Sequence, residues 1–124
     1  MPLLYHELTE KIIAGCFEVS NTLGAGFIES VYQNALYLVL EEKGFKVNRE
    51  YPLSVYFKEK VIGQFYADLL VEEKVIVELK AVDNLNPIFE AQLLSYLRMT
   101  DKKIGLLINF NVPILKQGIK RMIL

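Results

Sequence analysis

The stretch YADLLVEEKVIVELKAV, residues 66–82, decides the fold. Apolar residues alternate with period two on both sides of a polar tripeptide, Glu72-Glu73-Lys74, the pattern of two strands joined by a short hairpin loop. Counting outward from that loop, Val71 faces Val75 and Asp68 faces Glu78. One face then carries Ala67, Leu69, Val71, Val75, Val77 and Leu79, all apolar. The other carries Asp68, Glu78 and Lys80, because residues two apart share a face. A slip of one residue would drive the charges into the core, so the alternation specifies the register. Charged groups inside such a run are costly unless they are paired, exposed or used.

The remaining elements are arranged around this hairpin. Over residues 6–23, Leu8, Ile12, Cys16, Val19 and Leu23 fall on one helical stripe, and LGAG (23–26) stops the helix. A second helix spans 28–43 and is closed by Gly44. Its apolar arc comprises Ile28, Val31, Tyr32, Ala35, Leu36 and Val39, and Glu29 falls inside that arc, between Leu36 and Leu40. A helix built only to be amphipathic would not place a carboxylate there.

Residues 46–57 read as a strand broken at Pro52, with further strands over 61–71 and 75–81. Residues 84–99 read as a helix with Asn86 as N-cap and Pro87 in its first position. KIGLLINF (103–110) is a buried strand. After a loop containing Pro113 and Gly118, the chain ends in a short strand or turn at IKRMIL. The order is α-α-β-β-β-α-β, an α/β (α+β) arrangement with a mixed sheet flanked by helices.

A chain of 124 residues that is 52% hydrophobic suits one domain over 1–124 with a substantial core, and it is not the composition of a disordered segment. The single cysteine, Cys16, excludes an intrachain disulfide and fits a reducing compartment. The first residues lack a basic segment followed by an apolar run, and no window approaches the roughly 20 apolar residues of a membrane span. The expectation is a cytoplasmic protein without a membrane partner. Net charge is −1, which does not by itself announce a nucleic-acid binder. The charge is uneven, however. Residues 1–97 hold 8 basic and 14 acidic side chains, while residues 98–124 hold 6 basic and 1 acidic. Arg98, Lys102, Lys103, Lys116, Lys120 and Arg121 can track phosphate or simply be solvated.

Two opposed carboxylates repel and do not both stay ionised without a counter-charge. Taken alone, the group reads first as a surface cross-strand ion pair of Lys80 with Asp68 or Glu78. It reads second as a site for Mg²⁺, which binds through one or two carboxylates plus water and substrate phosphate. Three further polar positions favour the second reading. Glu29 lies on an apolar helix face, and Gln92 and Tyr96, at i and i+4, share a face of the later helix. Each is odd as core filler, and together they can line one pocket. His6 reads as incidental, and the NFN segment (109–111) reads first as a plain turn and second as presenting an amide to the substrate.

GFIESVY (26–32) fits a G-x-x-E-x-x-Y signature through Gly26, Glu29 and Tyr32. Asp68, then ELK (78–80), then QLLSY (92–96), form a D…E-x-K…Q-x-x-x-Y series. In this the chain resembles the GxxExxY protein family of the PD-(D/E)XK nuclease superfamily, over nearly its whole length. The resemblance implies a restriction-endonuclease-like core, with Asp68 and Glu78 as ligands for Mg²⁺ or Mn²⁺ and Lys80 as the catalytic lysine. By the same resemblance Glu29 would be the additional helix carboxylate near the metal, as in the lambda-exonuclease-like branch, and Gln92 and Tyr96 would contact substrate or organise the site. Ala67 stands where the superfamily name has proline. That proline shapes backbone and does no chemistry.

The implied function is metal-dependent hydrolysis of phosphodiester bonds in DNA. The competing expectation is a weak or inactive nucleic-acid-binding or regulatory module, or a subunit of a larger nuclease assembly, with the same fold. A domain this short also suits a homodimer gripping a duplex. Nothing in the chain reads bases in an evident way.

Overall fold

The computed structural model describes residues 5–124. Two helices come first, α1 (His6–Leu23) and α2 (Glu29–Glu42), followed by strands β1 (Val47–Phe57), β2 (Lys60–Val71) and β3 (Val75–Lys80). Helix α3 (Pro87–Thr100) crosses to β4 (Ile104–Asn109), and a 3₁₀ turn (Leu115–Gly118) leads into β5 (Ile119–Ile123). This is the expected order, with the unassigned ending resolved as a fifth strand. The sheet runs β1-β2-β3-β4-β5 and is mixed. Among the described residues only β3 and β4 pair in parallel, and they are the pair joined through a helix, as a parallel connection requires.

The centre of the sheet is covered on both faces, while the β1–β2 arm beyond it is exposed. Against α1 and α2 lie Leu69, Val71, Val75, Val77 and Leu79 with Ile104, Leu106 and Ile108, meeting Ile12, Cys16, Val19, Leu36 and Leu40. Against α3 lie Leu53, Ala67, Leu70, Ile76 and Leu107, meeting Leu93, Tyr96 and Leu97. Strands β3 and β4 are apolar nearly throughout because they are covered on both sides, as parallel strands are. Among the described residues no helix is long and apolar enough to cross a membrane.

Several local expectations hold at residue level. Asn86 caps α3, its Oδ1 accepting from the Ile88 N–H at 2.9 Å, and Pro87 follows at the first helical position. Val71 pairs with Val75, and the Lys74 N–H donates to the Val71 carbonyl at 3.0 Å across the loop. Gly24 ends α1 with φ 70° and donates its N–H to the Ser20 carbonyl at 2.8 Å.

Three local expectations are corrected. Pro52 does not break β1 but pairs with Tyr66 within one continuous strand. β1 is the sheet edge and has a single neighbour, so a residue without an N–H fits where its nitrogen points away from β2. Ile28 is not on the buried arc of α2. It is the N-cap residue and 72% exposed, and the buried face is Tyr32, Gln33, Leu36 and Leu40. Ala67 does not share a face with Leu69. It packs on the α3 side while Leu69 packs on the α1–α2 side, so β2 changes faces at Asp68.

Candidate active site

The change of face takes Asp68 out of both its ladders. The β2–β3 pairing ends at Leu69 and Val77. The β1–β2 pairing passes from Arg49–Leu69 to Tyr51–Ala67, skipping the position where Glu50 stands opposite Asp68. Glu50 adopts a left-handed backbone, φ 50°, unusual for a residue with a Cβ. Backbone groups that leave a ladder must find other partners. The Asp68 N–H donates to Glu78 Oε2 at 2.7 Å, and the Leu79 N–H donates to Asp68 Oδ2 at 2.8 Å. Asp68 and Glu78 are thus adjacent, as the hairpin register implies, but through crossed side-chain to backbone bonds rather than as a ladder pair.

Both carboxylates carry the cost of that position. Burial first, then the charge of Asp68, pushes the Glu78 carboxyl up to about 8. Burial also raises Asp68, to about 6, with Glu29 and Glu50 adding to the rise while the Leu79 N–H and Lys80 oppose it. Lys80 forms no ion pair with either carboxylate among the described residues, so the surface ion-pair reading does not hold. Its ammonium sits 4.6 Å from the centroid of the Phe89 ring on α3 and acts on the carboxylates through its field.

Glu29 is the first residue of α2 and is placed there by the loop before it. Gly26 has φ 109°, a conformation that glycine adopts at low cost. The Tyr32 hydroxyl donates to the Gly24 carbonyl at 2.7 Å and accepts from the Phe27 N–H at 3.2 Å. Its ring is fully buried and stacks on Phe110 with centroids 4.5 Å apart. Gly26 and Tyr32 therefore shape and tether the turn that presents Glu29. The half-buried Glu29 carboxylate is close enough to raise both Asp68 and Glu78.

Tyr96 reaches the same region from α3. Burial, then the charges of Glu78 and Asp68, push its hydroxyl up to about 12. Its ring lies 6.0 Å from that of Phe65 on β2. Gln92, one turn earlier on α3, is half-buried. Asp68, Glu78, Lys80, Glu29 and Tyr96 are thus brought together by two helices and two strands of the sheet.

Two residues were missed from the sequence. Gln33, nearly buried on α2, donates from Nε2 to Glu50 Oε1 at 2.9 Å and to the Asp68 carbonyl at 3.0 Å. Its signal was available, because Gln33 lies one turn beyond Glu29 on the stripe that continues to Leu36 and Leu40. Glu50 carried no such signal, since nothing in the sequence marks a left-handed glutamate in a strand.

The donor set suits a hard divalent cation. Asp68 and Glu78 each engage one oxygen with a backbone N–H and keep the other out of any hydrogen bond among the described residues. Two desolvated, mutually repelling carboxylates are relieved by a cation, and Mg²⁺ or Mn²⁺ takes one or two such ligands plus water. The arrangement is not a closed cage, because among the described residues no three His, Cys, Asp or Glu side chains are grouped to hold an ion.

The weaker sequence signals resolve as structure. Asn109 is buried, its amide exchanging hydrogen bonds with Val82 at 3.1 and 2.9 Å. His6 is exposed at the start of α1. Of the C-terminal basic residues, Lys120 pairs with Glu90 at 3.3 Å.

Compared with known protein families, residues 6–122 match the family model described as the PD-(D/E)XK nuclease superfamily. Searches of curated proteins and of solved structures give no match.

Proposed function

Because the chain belongs to the PD-(D/E)XK nuclease superfamily, we propose that it is a metal-dependent nuclease that hydrolyses phosphodiester bonds in DNA. Within the superfamily we assign it to the GxxExxY family, on Gly26, Glu29 and Tyr32. The observation that carries the reading is the Asp68–Glu78 pair. Both carboxylates are desolvated, each is oriented by a backbone N–H, and each keeps one oxygen for another partner.

Asp68 and Glu78 would hold Mg²⁺ or Mn²⁺ in this reading, with Glu29 adding charge from the start of α2. Held there, a divalent cation would supply Lewis-acid polarisation of a phosphate and a lower pKa for water. The chain's own groups do the rest. The Leu79 and Asp68 amides fix the two ligands. Lys80 balances negative charge beside the phosphate and handles the proton of the attacking water. Tyr96, a neutral phenol next to two carboxylates, orients substrate together with Gln92. The buried Cys16, its thiol pushed up to about 12 by desolvation, takes no part and suits a cytoplasmic protein.

A second reading is a nucleic-acid-binding module with little turnover. It is favoured by the absence of a ready three-ligand group among the described residues. One experiment separates the two: incubation of labelled single-stranded, duplex and branched DNA with Mg²⁺ or Mn²⁺, with EDTA, Glu78→Gln and Lys80→Ala as controls. Metal-dependent cleavage lost in both variants supports the nuclease. DNA binding without cleavage on any substrate supports the module.

A further inference from the structure

Asp68 is held by three hydrogen bonds between a side chain and a backbone group. Its N–H is bound by Glu78 Oε2, its carboxylate accepts from the Leu79 N–H, and its carbonyl accepts from Gln33 Nε2 at 3.0 Å. The register pairings on both sides skip the residue. Gln33 is the only one of these partners from outside β2 and β3. Its second donor holds Glu50 Oε1 at 2.9 Å, in the strand on the other side of Asp68. One carboxamide, with both N–H groups used, therefore brackets α2 to β1 and β2 at the point where β2 changes faces.

The same residue also sets the helix. Gln33 stands one turn after Glu29, so the two share a face of α2. Fixing Gln33 to the Asp68 carbonyl fixes the distance between the helix carboxylate and the strand carboxylate. The hydrogen-bonding partners of metal ligands act in this way, orienting a ligand they do not replace.

We propose that Gln33 is a positioning residue of the carboxylate site: by holding the Asp68 carbonyl and Glu50 together, it sets where Asp68 and Glu29 stand relative to each other, and thereby metal affinity and turnover. The role rests on the metal-nuclease reading above. Gln33 spends its donors on protein partners, and it belongs to neither the E-x-K nor the Q-x-x-x-Y series.

The test compares three variants with wild type. Gln33→Met keeps the side chain's length and removes both donors. Gln33→Asn keeps the donors and shortens their reach. Ile12→Val trims the core on α1, away from the carboxylates, and reports what a purely structural loss does. Three quantities are read: amide exchange at Asp68 and Leu79, Mn²⁺ affinity by calorimetry, and kcat and KM on labelled DNA.

Gln33→Met is expected to speed exchange at Asp68 and Leu79 relative to Val77. It should weaken Mn²⁺ binding about 10–100-fold and lower kcat by a similar factor, the range seen when a ligand's hydrogen-bond partner is lost, with KM little changed. Gln33→Asn moves the same quantities less, and Ile12→Val lowers Tm without moving them. If Gln33→Met matches wild type in exchange at the two amides and in Mn²⁺ affinity, or behaves as Ile12→Val does, the proposal is overturned. Wild-type protein that binds no Mn²⁺ overturns the metal-nuclease reading and this role with it. Intact Mn²⁺ binding in both wild type and Gln33→Met overturns the role alone.

Discussion

The carboxylate of Glu78 accepts the backbone N–H of Asp68 at 2.7 Å, so one candidate metal ligand holds the main chain of the other. The two groups cannot be perturbed independently. Protonating, replacing or metallating Glu78 changes what supports Asp68, and the following expectations start from that coupling.

Metal-free stability should fall as pH rises. In the folded protein Asp68 titrates near 6 and Glu78 near 8, both above their ordinary values of 3.8 and 4.5. The folded state therefore keeps protons that the unfolded chain has released. The stability these groups contribute is fully present below their unfolded values, and it is lost as pH rises through about 6 and then about 8. Thermal melting in EDTA across that range should show wild type losing Tm relative to Glu78→Gln. Parallel curves for the two proteins would contradict it.

Glu78→Gln removes the more strongly raised carboxylate and keeps an oxygen that can accept the Asp68 N–H. The variant should melt higher than wild type in EDTA at alkaline pH. It should also lose the metal response. At Mn²⁺ a hundredfold above Kd, wild type gains about 2.7 kcal/mol, and Glu78→Gln should gain close to nothing in the same titration.

Lys80→Met deletes a cation that opposes the rise at both Asp68 and Glu78. Proton release should then need a higher pH, so the pH at which half-maximal Mn²⁺ binding occurs should move upward. Lys80→Arg, which keeps the charge, should restore most of the binding midpoint. Cleavage need not return with it, since a guanidinium does not give up a proton. A binding midpoint indifferent to Lys80→Met would show that Lys80 is too far from the pair to matter.

Tyr32→Phe keeps the ring stacked on Phe110 and removes the hydroxyl that joins Gly24 to Phe27. The cost should be about 0.5–1.5 kcal/mol, because Gly24 and Phe27 are exposed and water can take over from the lost hydroxyl. Gly26→Ala should cost about 1–3 kcal/mol through backbone strain alone, because an added Cβ meets nothing within 4 Å. Denaturant melts give both values. If the loop presents Glu29 as described, the two variants also share a weakened response to Mn²⁺.

Much of this arrangement was legible in the sequence where one interaction dominates the local choice. Helix α1 follows from its stripe, α3 from the Asn86 cap and Pro87, and the β2–β3 hairpin from its alternation. The motif residues Asp68, Glu78, Lys80, Glu29 and Tyr96 do come together. What escaped is the behaviour of β2 at Asp68. The alternation rule assumes an unbroken pleat, and it placed Ala67 beside Leu69. The pleat is interrupted opposite Glu50, which has a left-handed backbone and whose carboxylate accepts from Gln33, a conformation that no preference of glutamate signals. Pro52 was misread for a related reason. A proline signals a break only if the strand has neighbours on both sides, and edge status is a property of the finished sheet.

That edge has a further consequence for how the protein behaves in a crowded solution. The β1–β2 arm exposes Tyr56, Phe57, Val61, Ile62 and Tyr66, a surface that would invite other chains to add strands and grow into fibres. Pro52 withholds a donor from any incoming strand, and the irregularity between Val55 and Tyr56 twists the outer rim. At the opposite rim, β5 is five residues long and carries Lys120 and Arg121. Both ends of the sheet thus resist templated growth, and the greasy arm can remain exposed without seeding aggregation.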